Sequence, residues 1–203
     1  MTARAASNNR MSTGLYLFLL ALRWMVAIVL ALWLGGLVAI GAFTAPTVFG
    51  DIRSAAATSA LSAADQNALA GLLVGDTFRL FNSVCAGLTV ALIFGQVFLF
   101  AFLPSDTPAK KRGSGSAASR PAQRDTLRGW LIAEFVIGLV LICSLYYLAI
   151  VLFPDMDEAK ARGMMKAFDM MHKKYTEIAM GQAPVLMVML AMCLHSTAII
   201  GRR

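Results

Sequence analysis

A chain of 203 residues that is 59% hydrophobic and only 14% charged falls outside the range of water-soluble domains and inside that of proteins with several membrane-crossing helices. Its net charge of +7 does not point to nucleic acid, because Lys and Arg gather beside apolar runs and in one linker rather than among aromatics on a folded face. Cys85, Cys143 and Cys193 lie apart within apolar runs, a pattern that implies neither a disulfide framework nor a zinc site.

Arg4 and Arg10 precede an apolar run from Leu15 to Phe49 that only Arg23 interrupts. A secretory signal has an apolar region of about 7 to 15 residues, so this longer run reads as an uncleaved first span. It carries Trp33, the pair Gly35 and Gly36, and then Ala45, Pro46 and Phe49. Small residues let a second helix approach closely in lipid, which makes the two glycines a predicted packing face. About 20 apolar residues cross the hydrocarbon of a bilayer, and four stretches qualify, at about 22–45, 80–103, 130–153 and 178–200. The predicted fold is therefore all-α, a single membrane domain over 1–203 with four transmembrane helices.

Ser62-Ala-Ala-Asp65 ahead of Leu69, Leu72 and Leu73 reads as an N-capped helix that feeds span two and packs on the outer mouth. Residues 104–125, rich in Pro, Gly, Ser and like charge, read as a flexible cytoplasmic linker. After span three, Ala161, Met164, Phe168, Met171, Tyr175 and Ile178 recur at steps of three and four, which predicts an amphipathic helix on the outer surface or capping the bundle. Eleven Lys and Arg fall on the side of the termini and central linker; the other side has seven, outnumbered by eight acidic residues. The positive-inside rule then puts both termini in the cytoplasm.

The two halves echo each other. Ala45-x-x-x-Phe49-Gly50-Asp51 parallels Ala149-x-x-x-Phe153-Pro154-Asp155, and Phe78-x-x-x-Asn82 parallels Phe168-x-x-x-His172. These matches fit either a parallel two-fold repeat or a chance likeness of apolar segments. Trp33, Gly35, Gly36, Ala45, Pro46 and Phe49, followed by Phe168 and His172 before the last span, resemble the motifs of the bacterial domain-of-unknown-function 4149 family, which is similar to the eukaryotic transmembrane protein 205. The resemblance implies four spans, a bacterial inner membrane as the location, and no established activity. More distantly, the chain resembles the copper-resistance D type membrane proteins and related haem-binding membrane oxidases, which tend to place a histidine in the first span; this sequence has none there.

No nucleophile and base pair, phosphate loop or dinucleotide fingerprint occurs, so no catalytic residue is assigned. Thr44, Asn82, Tyr146, His172 and Gln182 fall toward the outer half of the bundle and form a candidate polar pocket, or else a set of helix-to-helix hydrogen bonds. Arg23 and Glu134, the two charges inside apolar runs, are a candidate ion pair. Nine of the twelve methionines fall between Met156 and Met192, and Met164 and Met171 with His172 are weak candidates for Cu(I), packing being the alternative. His172 and His195 lie 23 residues apart, so they would occupy opposite ends of one helix. No cofactor is expected, with haem or copper as the alternative. The expected partners are the lipid bilayer and a second copy or another membrane protein, with no nucleic acid. The leading expectation is a non-enzymatic, transport-like or accessory membrane module; a haem- or copper-handling redox protein is the alternative.

Overall fold

The structure, a computed structural model, describes residues 13–56, 62–102 and 119–201. Every element in these stretches is helical: α1 (Thr13–Val38), α2 (Ala45–Ala56), α3 (Ala63–Phe102), α4 (Ser119–Tyr146), α5 (Phe153–Ala161) and α6 (Met165–Gly201). Wide π turns at Ala39–Thr44 and Tyr147–Leu152 join α1 to α2 and α4 to α5 without a break. Four continuous helices result, long and apolar enough to cross a membrane, and the protein is an integral membrane protein. At 35 to 43 residues each they reach about 50 to 65 Å, against roughly 30 Å of hydrocarbon. They therefore extend well beyond the bilayer core.

The two π turns have a common cause. Pro46 and Pro154 each follow one by two residues; proline has no N–H, and its ring collides with the carbonyl four residues back. Widening the preceding turn moves that carbonyl aside. The Ala45 and Phe153 N–H groups accordingly bond Ile40 and Leu148, five residues back instead of four.

In the bundle α1 and α4 each pack against both α3 and α6. Among the described residues α1 and α4 have no backbone contact with each other, nor have α3 and α6, so the four form a ring with an up-down-up-down course. Phe18 against Phe102 and Trp130 against His195 mark the end that holds Thr13 and Gly201; Phe153 against Tyr175 marks the other. The buried stripe of α1 and the π turn after it is Leu19, Arg23, Val26, Leu30, Trp33, Leu37 and Ile40, and that of α6 is Tyr175, Ala179, Gln182, Leu186, Met189, Cys193, Ser196 and Ile200. Both advance by alternating steps of three and four, the 3.5-residue period of left-handed bundle packing. Outside these stripes the helices expose apolar side chains such as Leu17, Ile28, Leu80, Phe94, Val140 and Met187, a surface suited to lipid.

Two local features depart from the sequence expectation. The helix starting at Ala63 does not fold over the bundle mouth. Ser62 caps it by accepting from the Asp65 N–H at 3.2 Å, and it runs unbroken through span two to Phe102. Likewise, Phe168, Met171, Tyr175 and Ile178 do not form a separate surface helix: they extend span four, because α6 is continuous from Met165. Ala161 and Met164 are cut off from that stripe. Gly163, at φ 69°, ends α5 in a turn where the Gly163 N–H bonds Lys160 and the Met164 N–H bonds Ala159, the pattern that terminates a helix on a left-handed glycine. Of the predicted linker, residues 119–125 belong to α4, and 104–118 lie outside the described residues.

Candidate functional site

The inward stripes would be wholly apolar if packing were their only role, yet each carries polar residues. Arg23 on α1 and Glu134 on α4 are both fully buried and meet across the middle of the ring. Arg23 Nη1 donates to Glu134 Oε2 at 2.6 Å and Nη2 to Oε1 at 2.9 Å, the two-pronged geometry that a planar guanidinium offers a carboxylate. From α6, the Cys193 carbonyl accepts from Nη2 at 2.9 Å. Ser196 Oγ contacts the same Nη2 and lies 2.9 Å from Glu134 Oε1. One charged node thus ties three helices together within the apolar span.

Two further polar levels lie toward the opposite end. Gln182 Nε2 donates to Ser144 Oγ at 2.8 Å, joining α6 to α4. Asn82 Nδ2 donates to the Tyr175 hydroxyl at 3.1 Å, joining α3 to α6, and the rings of Phe78 and Phe153 close around that tyrosine edge-on. The spacing is regular. Asn82, Thr89 and Gln96 follow one another at seven residues on α3, and Tyr175 and Gln182 do so on α6, with Ser196 two heptads on; all six are buried. Seven residues of helix rise about 10 Å. As α3 and α6 run in the same direction and are registered by the Asn82–Tyr175 bond, the column has rungs about 10 Å apart. Gln96 falls beside Met189, one turn short of Cys193 and the charged node.

Gln96 is 2% exposed, and neither its amide nitrogen nor its oxygen has a hydrogen-bond partner among the described residues; the same holds for Arg23 Nε and Trp33 Nε1. Buried polar groups are nearly always satisfied by protein or by bound water. Two of these unpaired groups belong to neighbouring levels of one column.

A second feature opens between α3 and the π turn after α4: a cavity of about 450 Å³. Its polar lining includes Arg79, Asn82, Tyr146 and Asp157, and its apolar lining includes Ala86, Leu145, Ala149 and Ile150. Arg79 Nη2 pairs with Asp157 at 2.7 Å and Nη1 with Asp76 at 3.4 Å, while its guanidinium lies 5.2 Å from the centre of the Phe153 ring.

Of the residues singled out for a polar pocket, the structure brings Asn82 and Tyr146 together at this cavity and does not bring Thr44, His172 or Gln182 to it. Thr44 bonds back to the Ala39 carbonyl at 3.2 Å, Gln182 belongs to the central column, and His172 is exposed and stacked on Phe168 at 5.7 Å. Trp33 lies in the core, and a Cβ on Gly36 would meet Phe81 of α3, whereas Gly35 is exposed with open space around it. Ala45 and Phe49 are half-buried and Pro46 is exposed. Met164 lies in the turn before α6, while Met171 packs on the core and is followed directly by His172, about 100° further round the helix. Both histidines belong to the continuous α6, about 34 Å apart along its axis, so they do not fit as the two axial ligands of one haem.

Sequence reading had not singled out Thr89, Gln96, Ser196, Arg79 or Asp157. The seven-residue spacing of Asn82, Thr89 and Gln96 was the available signal for the first two, and the step of fourteen from Gln182 for Ser196. Neither a family model, nor a curated protein, nor a solved structure matches the chain.

Proposed function

We propose that the protein is a non-enzymatic, transport-like membrane module that passes protons or water-sized species along its central polar column. The observation that carries this reading is Gln96: a buried amide with both ends unpaired, on the inward stripe between the Arg23–Glu134 node and the Gln182–Ser144 rung. An amide can both donate and accept, so it can join bound water on either side into a chain. The alternative use of the same groups is purely to pin helices together. Intramembrane polar residues serve both ends, and the unsatisfied one discriminates between them, since a pin would be paired.

Reconstituted vesicles loaded with a pH-reporting dye test the proposal. An imposed proton gradient should collapse faster across vesicles containing the protein than across empty ones. Gln96→Leu should slow that collapse to near the empty-vesicle rate while the variant still elutes as a single folded species. A folded Gln96→Leu variant with the parent's rate removes the column from the function. The parallel halves suggested by the Ala-x-x-x-Phe motifs belong to the same proposal, in which the proline-linked π turns of the first and third spans are equivalent positions. So does membership of the domain-of-unknown-function 4149 family, supported by the four spans and the packing of Trp33 and Gly36.

A further inference from the structure

The cavity between α3 and α4 adjoins the column at Asn82, and its position along the helices gives it a chemical character. From Leu80 to Phe102 and from Phe135 to Pro154 there is no charged residue, so Arg79 and Asp155 mark the edge of the apolar zone on this side. The mouth of the cavity, at Arg79 and Asp157, is therefore at headgroup level. Ala86 and Leu145 are seven and eight residues inward of Arg79 and Phe153, about 10 to 12 Å deeper, among acyl chains. A pocket that is ionic at the headgroup plane and apolar below it, with a volume of about 450 Å³, matches an amphiphile lying along the membrane normal.

The mouth also selects the headgroup. Arg79 faces two carboxylates, Asp76 and Asp157, so the cluster holds both signs with one negative charge in excess. An anionic lipid would add to that excess. A headgroup carrying a phosphate and a primary ammonium can set the phosphate on Arg79 and the ammonium on the two aspartates, and three N–H donors suit the ammonium to paired carboxylates in a way that a quaternary amine cannot reproduce. We infer that this cleft is a binding site for one zwitterionic, ethanolamine-type phospholipid. Its headgroup lies on Arg79 and Asp157 at the mouth, with Asp76 one turn outward on α3, and an acyl chain lies along Leu145, Ala149 and Ile150.

Native mass spectrometry of the full chain in mild detergent tests this, with ethanolamine-, choline- and glycerol-headgroup phospholipids of one acyl composition added in turn. The parent should retain one ethanolamine lipid, at least about tenfold more tightly than the other two, the loss expected when charge-assisted hydrogen bonds are removed. Ala149→Phe should fill the wall and lower retention by a similar factor. Asp157→Asn, which leaves the apolar wall intact, should abolish the preference for ethanolamine and raise binding of the anionic glycerol lipid. Retention of all three headgroups alike by the parent would overturn the site's selectivity. Equal retention by parent, Ala149→Phe and Asp157→Asn would show surface lipid only and overturn the site itself. An unchanged melting temperature and elution profile in Asp157→Asn separates either result from misfolding.

Discussion

The Arg23–Glu134 node predicts an asymmetry between two substitutions that remove the same ion pair. Glu134→Leu leaves a fully buried guanidinium whose remaining partners are the Cys193 carbonyl and the Ser196 hydroxyl. Arginine cannot shed its proton, and stranding one partner of a buried pair costs about 3 to 5 kcal/mol. Arg23→Leu strands the carboxylate instead, but a carboxyl group can take up a proton, become neutral and keep its bond to Ser196 at 2.9 Å. Its cost should be smaller, about 1 to 3 kcal/mol for the unsatisfied polar atoms that remain. The double variant Arg23→Leu/Glu134→Leu removes both charges and should recover most of the loss, because a buried pair replaced by apolar groups is often near neutral. At about 2 to 4 °C per kcal/mol for a chain of this size, Glu134→Leu should melt roughly 6 to 20 °C below the parent, with Arg23→Leu between them. Thermal unfolding in one detergent, followed by loss of the monodisperse elution peak, measures all three. Equal losses in the two single variants, or a double variant as unstable as Glu134→Leu, would refute the account of the node as a desolvated charge pair.

The two adjacent glycines should respond in opposite ways. A Cβ on Gly36 would collide with Phe81 Cε2, so Gly36→Leu should overpack the contact between α1 and α3 and cost about 1 to 3 kcal/mol in the same melting assay. Gly35 has nothing within 4 Å, so Gly35→Leu should be neutral or stabilising by up to about 1 kcal/mol through helix propensity, and a loss comparable to that of Gly36→Leu would contradict the packing described. If the excess of Lys and Arg beside the termini sets the orientation, alkaline phosphatase fused after Arg203 should be inactive and a fluorescent reporter there bright, with the converse for fusions near residue 60. An active phosphatase at Arg203 would refute that expectation.

The number of spans could be read from hydrophobicity because lipid demands length and apolarity of any crossing helix. Which face turns inward could not be read that way. In lipid the outer face is as apolar as the core, so Leu80, 69% exposed, and Leu92, 1% exposed, look alike in sequence. Polar residues carry the missing information, since a side chain that needs a hydrogen bond avoids the acyl chains and turns toward the bundle. Projecting Arg23, Glu134, Asn82, Thr89, Gln96, Gln182 and Ser196 onto a 3.5-residue repeat recovers the buried stripes on every helix. What such a projection cannot supply is which rungs meet. Arg23 and Glu134 are 111 residues apart, and Asn82 and Tyr175 are 93 apart; their pairing depends on the ring order of the helices, which no local pattern encodes.

The extended helix ends were hidden for a related reason. Counted by hydropathy, a span stops where charges begin, at Arg79 in span two and at Glu177 in span four, yet neither α3 nor α6 has a break signal there. Glycine in a left-handed conformation ends a helix, and among the described glycines only Gly163 adopts one. Charges alone change the solvent around a helix without ending it. The charged first turns of α3 and α6 therefore continue the membrane helices outward. Arg79 can consequently reach Asp157 across the mouth of the lipid-level cleft, because α3 and α5 both pass the bilayer edge as helix and carry their side chains in fixed register.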